Sequence, residues 1–505
     1  MTQHRSMFWL LVLATLMALI RPSVQQLTCS ITSTFDPSKN YFPAGQQMSI
    51  KYAQKFSVSY SNSYKILTVG SSTYVLYMCN GPAPNSTSIP ANAVKIPVPV
   101  STAAVADQSV LAALQRLGLL TSVSYVQNLN AITLPCAEAR SSSSNILELP
   151  TTPVSNIGVV FGNVSNISLS SGTVPITASL MSETSPLARA EWIKFIAAFY
   201  NQEALAETTF SGIESTYQCN VAAFQILQTS DRPAVTWITT IDGSHWGDYN
   251  PQYAASLINS SGGNYVSMGA SLGHADVVKF LQTVDVVIDA TPVNPNGVSN
   301  IQTFYQNYNI TPLDMESFRW TGLQGFVLRT DENVNSNGYD DWPNSAVFQP
   351  DYYQMDLIHN LNPKYNSTFK DVWFRNIAQG DGTVAASPKS CADPTAILSV
   401  PSTLCPVGAT ANIQKWTDVA HTGAVSSPPT FEIVPDPSGA LRNVLLVVFT
   451  TLIALGVAGY FIIKYRKYLS ERWYKFTDDT PVYPSNVRDP ERFDSRAEII
   501  TMTRF

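Results

Sequence analysis

Ser185–Tyr217 reads SPLARAEWIKFIAAFYNQEALAETTFSGIESTY, and the fold turns on it. Ser185 suits a helix N-cap, and Pro186 falls at the first helical position, where a missing N–H is tolerated. No Gly or Pro follows until Gly212. Trp192, Ile193, Phe195, Ile196, Phe199 and Tyr200 cover more than one face, and a helix apolar nearly all round is buried between two bodies. The stretch predicts a rigid interlobe helix over 185–217.

Working outward, the N-terminal side predicts a hairpin of Phe56–Tyr60 and Tyr64–Val69 around Asn62-Ser63. A strand at Tyr74–Met78, a helix over Asp107–Leu117 ended by Gly118, and strands at Ser122–Val126 and Ile157–Phe161 follow. The C-terminal side alternates strand Ala234–Ile241, helix Pro251–Ile258, strand Tyr265–Met268, helix Ala275–Thr283 and strand Val284–Ile288. Such alternation predicts a parallel sheet on each side of the strut. The fold class is α/β, two Rossmann-like lobes at 27–184 and 218–384 joined by the long helix. Residues 385–440 lose the periodicity, gain Pro, Ser and Thr, and read as a stalk.

The ends suggest a membrane. Residues 1–26 carry His4 and Arg5 before the apolar run Met7–Ile20, the pattern of a signal peptide. Val444–Ile463 has no charge and is long enough to cross a bilayer, within an expected transmembrane helix at 441–463. Lys464, Arg466 and Lys467 follow, so the expected C-terminus is cytoplasmic, with 464–505 as tail. This predicts a single-pass type I membrane protein of the cell surface or endomembrane system, its ectodomain outside or luminal. All six cysteines and the six sequons at Asn85, Asn163, Asn166, Asn259, Asn309 and Asn366 fall in the outer part, as an oxidising, glycosylating route requires. Six cysteines allow 15 pairings, of which Cys391–Cys405 is the expected local closure. The net charge is −6, and the acid excess lies in the outer part, which argues against nucleic acid and anionic membranes as partners.

PLARAEWIKF resembles the interlobe helix region of substrate-binding proteins of ABC importers for iron–siderophore complexes, cobalamin and haem. Three further stretches agree in order. Tyr52–Val69 (YAQKFSVSYSNSYKILTV) is similar to the N-terminal hairpin of one bacterial branch, and Ile96–Val126 to the first strand–helix–strand unit. Gly338–Asn362 (GYDDWPNSAVFQPDYYQMDLIHNLN) is similar to a late segment of the family. The likeness covers about 50 to 380. It implies a small-molecule metal chelate held between two lobes, without a covalently bound cofactor and without enzymatic activity. The membrane anchor, stalk and tail depart from the family. They would make the chain a membrane-embedded receptor whose tail meets an uptake or endocytic partner.

Clefts of such proteins are lined by loops at the carboxyl ends of strands. The loop after Ala234–Ile241, DGSHWGDYN, offers Trp246 and Tyr249 as flat faces with polar tips. By the resemblance, His245, Trp246 and Tyr249 are candidate ligand contacts. Tyr339, Asp340 and Trp342 form a second candidate group beside Asp341, and Ser101 and Thr102 a third. The competing readings are a loop packed on its own lobe and an ordinary acidic turn. Arg189 reads as a structural ion pair. The lobes hold only His245, His274 and His359, too scattered for a zinc-type site, so no metal ligands are assigned. Gly269-Ala-Ser271-Leu-Gly273 matches G-x-S-x-G, with Asp289 or Asp314 and then His359 in hydrolase order. No His-Gly-Gly-type oxyanion loop precedes it, so a serine hydrolase using Ser271 ranks below a binding protein. A cell-surface adhesion or signalling receptor rests on anchor and stalk alone.

Overall fold

A computed structural model describes residues 35–419 except 37, 86, 88, 164–168, 270, 294–296, 298, 322–324, 392, 396–403 and 407. The hairpin forms as expected: β1 (Phe56–Tyr60) pairs antiparallel with β2 (Tyr64–Val69). Leu67 and Val69 turn inward on alternate positions of β2, the period that a half-buried strand requires. β3 (Ser72–Met78) and the parallel β4 (Val94–Val98) complete this four-stranded sheet.

The N-terminal lobe proper is a second, all-parallel sheet. Its strands are β5 (Ala103–Val105), β6 (Val123–Val126), β7 (Leu147–Glu148), β8 (Val159–Phe161) and β9 (Val174–Ile176), in spatial order β7-β6-β5-β8-β9. The C-terminal lobe is built on β10 (Ala234–Thr240), with β11 (Trp246–Asp248) folding back antiparallel onto its carboxyl end. β12 (Asn264–Tyr265), β13 (Val286–Asp289) and β14 (Val327–Arg329) extend it in parallel. β15 (Asn333–Val334) lies outside that sheet, β16 (Arg375–Asn376) closes its edge antiparallel, and β17 (Val384–Ala385) pairs with β15. Strand order reverses at β5/β8 and at β10/β13, the switch points where open α/β sheets bind ligands.

The strut is not one helix. It breaks into Pro186–Ala190, Trp192–Ala198 and the 22-residue Glu203–Phe224. Ser185 does cap the first, accepting from Ala188 N. Trp192, Phe195 and Phe199 are buried in the N-terminal core against Phe56 and Phe161. At the second break Asn201 is left-handed, φ 53°. Its side chain accepts from the Lys65 ammonium, which also pairs with Glu203; Lys65 and Glu203 are both buried. Burial pushes the Lys65 ammonium down and Glu203 opposes this. The polar cluster needs the chain to turn at 199–202, and the turn ends the helix.

The stalk is also corrected. The described residues between 384 and 419 are tied to the body: Cys136–Cys391 links the first part to the N-terminal lobe, and Cys219–Cys405 links the second to the long helix, while 420–440 lie outside the described residues. Leu404 is buried beside Phe224, and Trp416 packs on Phe326. The expected Cys391–Cys405 closure is therefore wrong, because tertiary proximity outweighs the short loop. Cys79 is disulfide-bonded as well.

The single-pass membrane placement is withdrawn. Among the described residues no helix is long and apolar enough to cross a membrane. The longest, Glu203–Phe224, carries Glu203, Glu207 and Glu214 and belongs to the interlobe region. The leader 1–26, the span 441–463 and the tail 464–505 lie outside the described residues. Of the sequons, Asn85, Asn163, Asn259 and Asn309 are exposed and Asn166 is outside the described residues. Asn366 is buried, with its amide against Met355 Sδ, so a surface modification there is not accommodated.

Replacing Glu203 by Ala leaves the buried Lys65 ammonium without its partner, and the expected loss is about 3–5 kcal/mol. Urea unfolding should show it, whereas the pair Lys65→Met and Glu203→Leu together should recover most of the loss. An unchanged midpoint for Glu203→Ala would show that the pair does not hold the break.

Candidate functional site

At the carboxyl ends of β13 and β14 the chain places Asp289, Arg329 and Asp331 in one buried ladder. Arg329 pairs with Asp289 and, at 2.9 Å, with Asp331; Arg375 reaches Asp331 at 2.6 Å. Tyr308 Oη donates to Asp289 and Arg329 donates to the Thr291 carbonyl, each at 3.0 Å. Burial alone would push the Asp331 carboxyl up, but Arg329 and Arg375 outweigh it and hold it below the usual range.

In front of this ladder lies a cavity of about 710 Å³. Trp237 from the middle of β10 forms one wall with Tyr249 and Trp342, its ring centroid 5.3 Å from the first and 5.8 Å from the second. Trp237 is fully buried, and its indole N–H has no hydrogen-bond partner among the described residues. The turn 335–341 also lines the cavity, through Asn335, Ser336, Gly338, Tyr339 and Asp340. Gly338 there has φ 78°, a left-handed conformation that suits Gly. Asn335 Nδ2 donates to the carbonyls of Asn130 and Ile132, at 2.7 and 2.8 Å, pinning the turn against the N-terminal lobe. Tyr339 and Asp340 on this turn line the cavity. Burial pushes the Asp340 carboxyl up to about 8, helped by Asp331 and Asp341; the Trp342 N–H and Arg329 offset this only in part. Asp341 turns away, accepting from Ser345 Oγ and Trp373 Nε1.

Four residues expected from the sequence therefore meet in one place: Tyr249, Tyr339, Asp340 and Trp342. The others do not. Trp246 is fully buried in a separate core, stacked on Tyr308 and donating to the Asn307 carbonyl, because the β11 hairpin returns the chain under the sheet. His245 sits on the exposed tip of that hairpin and pairs with Asp242. Ser101 and Thr102 precede β5 and so lie at its amino end, away from the switch point; Pro97 and Val98 belong to β4 of another sheet. Arg189 makes no ion pair among the described residues; it stacks 3.7 Å from the Tyr253 centroid and donates to the carbonyls of Met181 and Glu183. Trp237, Arg329, Asp331 and Asn335 were missed. Applying the carboxyl-end rule to β13 and β14 as well as to β10 would have found Arg329 and Asp331.

The hydrolase constellation does not assemble. Ser271 is exposed, Asp289 is engaged by Arg329, and Asp314 caps its own short helix through Thr311. His359 pairs with Asp371 at 2.8 Å. Among the described residues no three His, Cys, Asp or Glu side chains gather to hold a metal ion.

No family model matches the chain, and no curated protein does. Solved structures similar to it are periplasmic binding proteins. One, from Veillonella parvula, is 12% identical with a TM-score of 0.41, covering 54% of this chain and 88% of that one. The petrobactin-binding protein from Bacillus subtilis is 11% identical, TM-score 0.36, over 53% of this chain and 93% of its own. A periplasmic haem-binding protein from Pseudomonas aeruginosa is 9% identical, TM-score 0.34, over 57% and 99%. This is the group that the sequence resembles. At these identities and TM-scores the likeness assigns neither ligand nor partner to this chain.

Trp246→Ala should behave as a core truncation, with a loss of about 3–5 kcal/mol in stability. The folded fraction should keep the wild-type response to any ligand of the cavity. A variant with normal melting but lost binding would return Trp246 to the site.

Proposed function

We propose that this chain is a solute-binding protein whose cavity takes a bulky small molecule of the metal-chelate or tetrapyrrole kind, such as a ferric siderophore, cobalamin or haem. The observation that carries the reading is the cavity at the carboxyl ends of β10, β13 and β14, walled by Trp237, Tyr249 and Trp342. Its volume of about 710 Å³ falls in the ~300–1,000 Å³ range of ligand pockets. Flat aromatic faces suit a large, weakly polar ligand, and the polar groups that line the cavity with them give orientation. Nothing in the geometry favours the hydrolase over this reading.

The test is intrinsic tryptophan fluorescence of the full chain titrated with ferric trihydroxamates, haem and cobalamin. At least one should quench it saturably. Tyr339 is only half-buried, so Tyr339→Ala should melt close to wild type. It should bind the quenching compound about 30-fold more weakly, as loss of an aromatic anchor worth ~2 kcal/mol implies. Equal affinity in Tyr339→Ala would remove the turn 335–341 from the site.

A further inference from the structure

The charges around the cavity do not balance, and the imbalance says what kind of ligand completes it. Among the described residues, the charged ones on its walls are Arg329, Asp331 and Asp340. Arg329 is spent on Asp289 and Asp331, and Arg375, behind the wall, also goes to Asp331. Two guanidiniums thus face Asp289 and Asp331, and Asp340 is left over. Among the described residues its carboxylate accepts from Trp342 N, at 2.9 Å, and has no ion pair. Asp340 is half-buried on the cavity wall, and a ligand that brings a positive charge to a carboxylate so placed gains a partner for that charge. The neighbouring wall fits the same charge, since the faces of Trp and Tyr attract cations.

We propose that the cavity selects a cationic ligand, whose ammonium or other positively charged end meets Asp340 against the aromatic wall of Trp237, Tyr249 and Trp342. The proposal rests on the reading of this cavity as a solute site. It narrows the ligand to chelates carrying a positive group and disfavours polyanionic ones. The groups facing Asp340 are Tyr249 from the loop after β11, Arg329 and Asp331 from the end of β14, and Asp341 and Tyr339 from its own turn. Arg329 and Asp331 are paired with each other, so the ionisation of Asp340 decides the local charge. Affinity for a cationic ligand should rise with pH as Asp340 loses its proton and fall toward acid. Affinity for a neutral analogue should stay level.

The experiment compares two probes on the full chain by tryptophan quenching. One is the ferric complex of a linear trihydroxamate ending in a protonated amine; the other is the same complex with that amine acetylated. The amine form should bind at least tenfold more tightly near neutral pH, with its preference growing between pH 6 and 9. Asp340→Asn keeps the Oδ1 acceptor for Trp342 N, so it should melt like wild type and bind the two probes equally. Equal binding of both probes by the wild type would overturn the charge preference and leave the solute site standing. A preference that persists in Asp340→Asn would overturn the role of Asp340. Quenching by neither probe would overturn the reading of the cavity and this proposal with it.

Discussion

Glu191 is the point on which the segment before β1 is hung from the helix region. Its carboxylate is buried at the break between the two short helices of 186–198, and it accepts from the backbone N–H of Lys51, Tyr52 and Ala53 at 2.9, 2.6 and 2.8 Å. Lys194 Nζ supplies the counter-charge at 3.0 Å and continues to the Ser49 carbonyl. Glu183, eight residues earlier in the chain, does the same for the next two residues of that segment, taking Gln54 N, Lys55 N and the indole of Trp192. A buried carboxylate is tolerated only with such a full set of donors, and each charge-assisted bond is stronger than a neutral one. Two acids thus tie the segment before β1 to the helices after the N-terminal lobe. The leading hairpin is held to the helix region by hydrogen bonds as well as by Phe56 packing.

A second joint runs through Trp342–Leu361. Val347 and Phe348 belong to the N-terminal core, while Trp342, Ala346, Tyr353 and Leu357 belong to the C-terminal one. Arg116, buried in the first lobe, donates to the Phe348 carbonyl. It lies 4.0 Å from Asp351, whose carboxyl burial raises to about 6. The stretch that supplies Tyr339, Asp340 and Trp342 to the cavity therefore begins a segment embedded in both lobes. The part of the wall made by Tyr339, Asp340 and Trp342 is held by this packing, which is what a preorganised site requires.

Much of the fold was legible because its signals are local. β1 alternates strictly as FSVSY, and the runs at 234–240 and 286–289 are β-branched or aromatic enough to stand out. The helix break at 199–202 was not legible. No Gly or Pro marks it; what ends the helix is a left-handed Asn201 satisfied by Lys65, more than 130 residues away. Cysteine pairing was hidden for the same reason, since the bridged residues are 255 and 186 positions apart. In the site, Tyr249 and Trp246 stood three residues apart in one loop, yet a hairpin return sends one to the cavity and the other into the core. Arg329 ends a strand of only three residues, too short to announce itself from periodicity.

Two-lobed clamps close on a ligand about a hinge that few contacts cross. Here several cross it. The Glu203–Phe224 helix, the embedded Trp342–Leu361 segment and the Asn335 bonds to Asn130 and Ile132 all span the lobes. Cys136–Cys391 adds a covalent link from the first lobe to the strand end beside the cavity, where Thr383 and Ala385 line it. Each of these would have to be broken or strained for a wide opening. The cavity also takes nearly all its walls from the C-terminal lobe, with Ala131 as the contribution from the other. Binding in such a molecule needs little lobe movement, and the N-terminal lobe acts as a fixed buttress for the turn 335–341. Selectivity then falls on the shape and charge already present between that turn and the Trp237 wall.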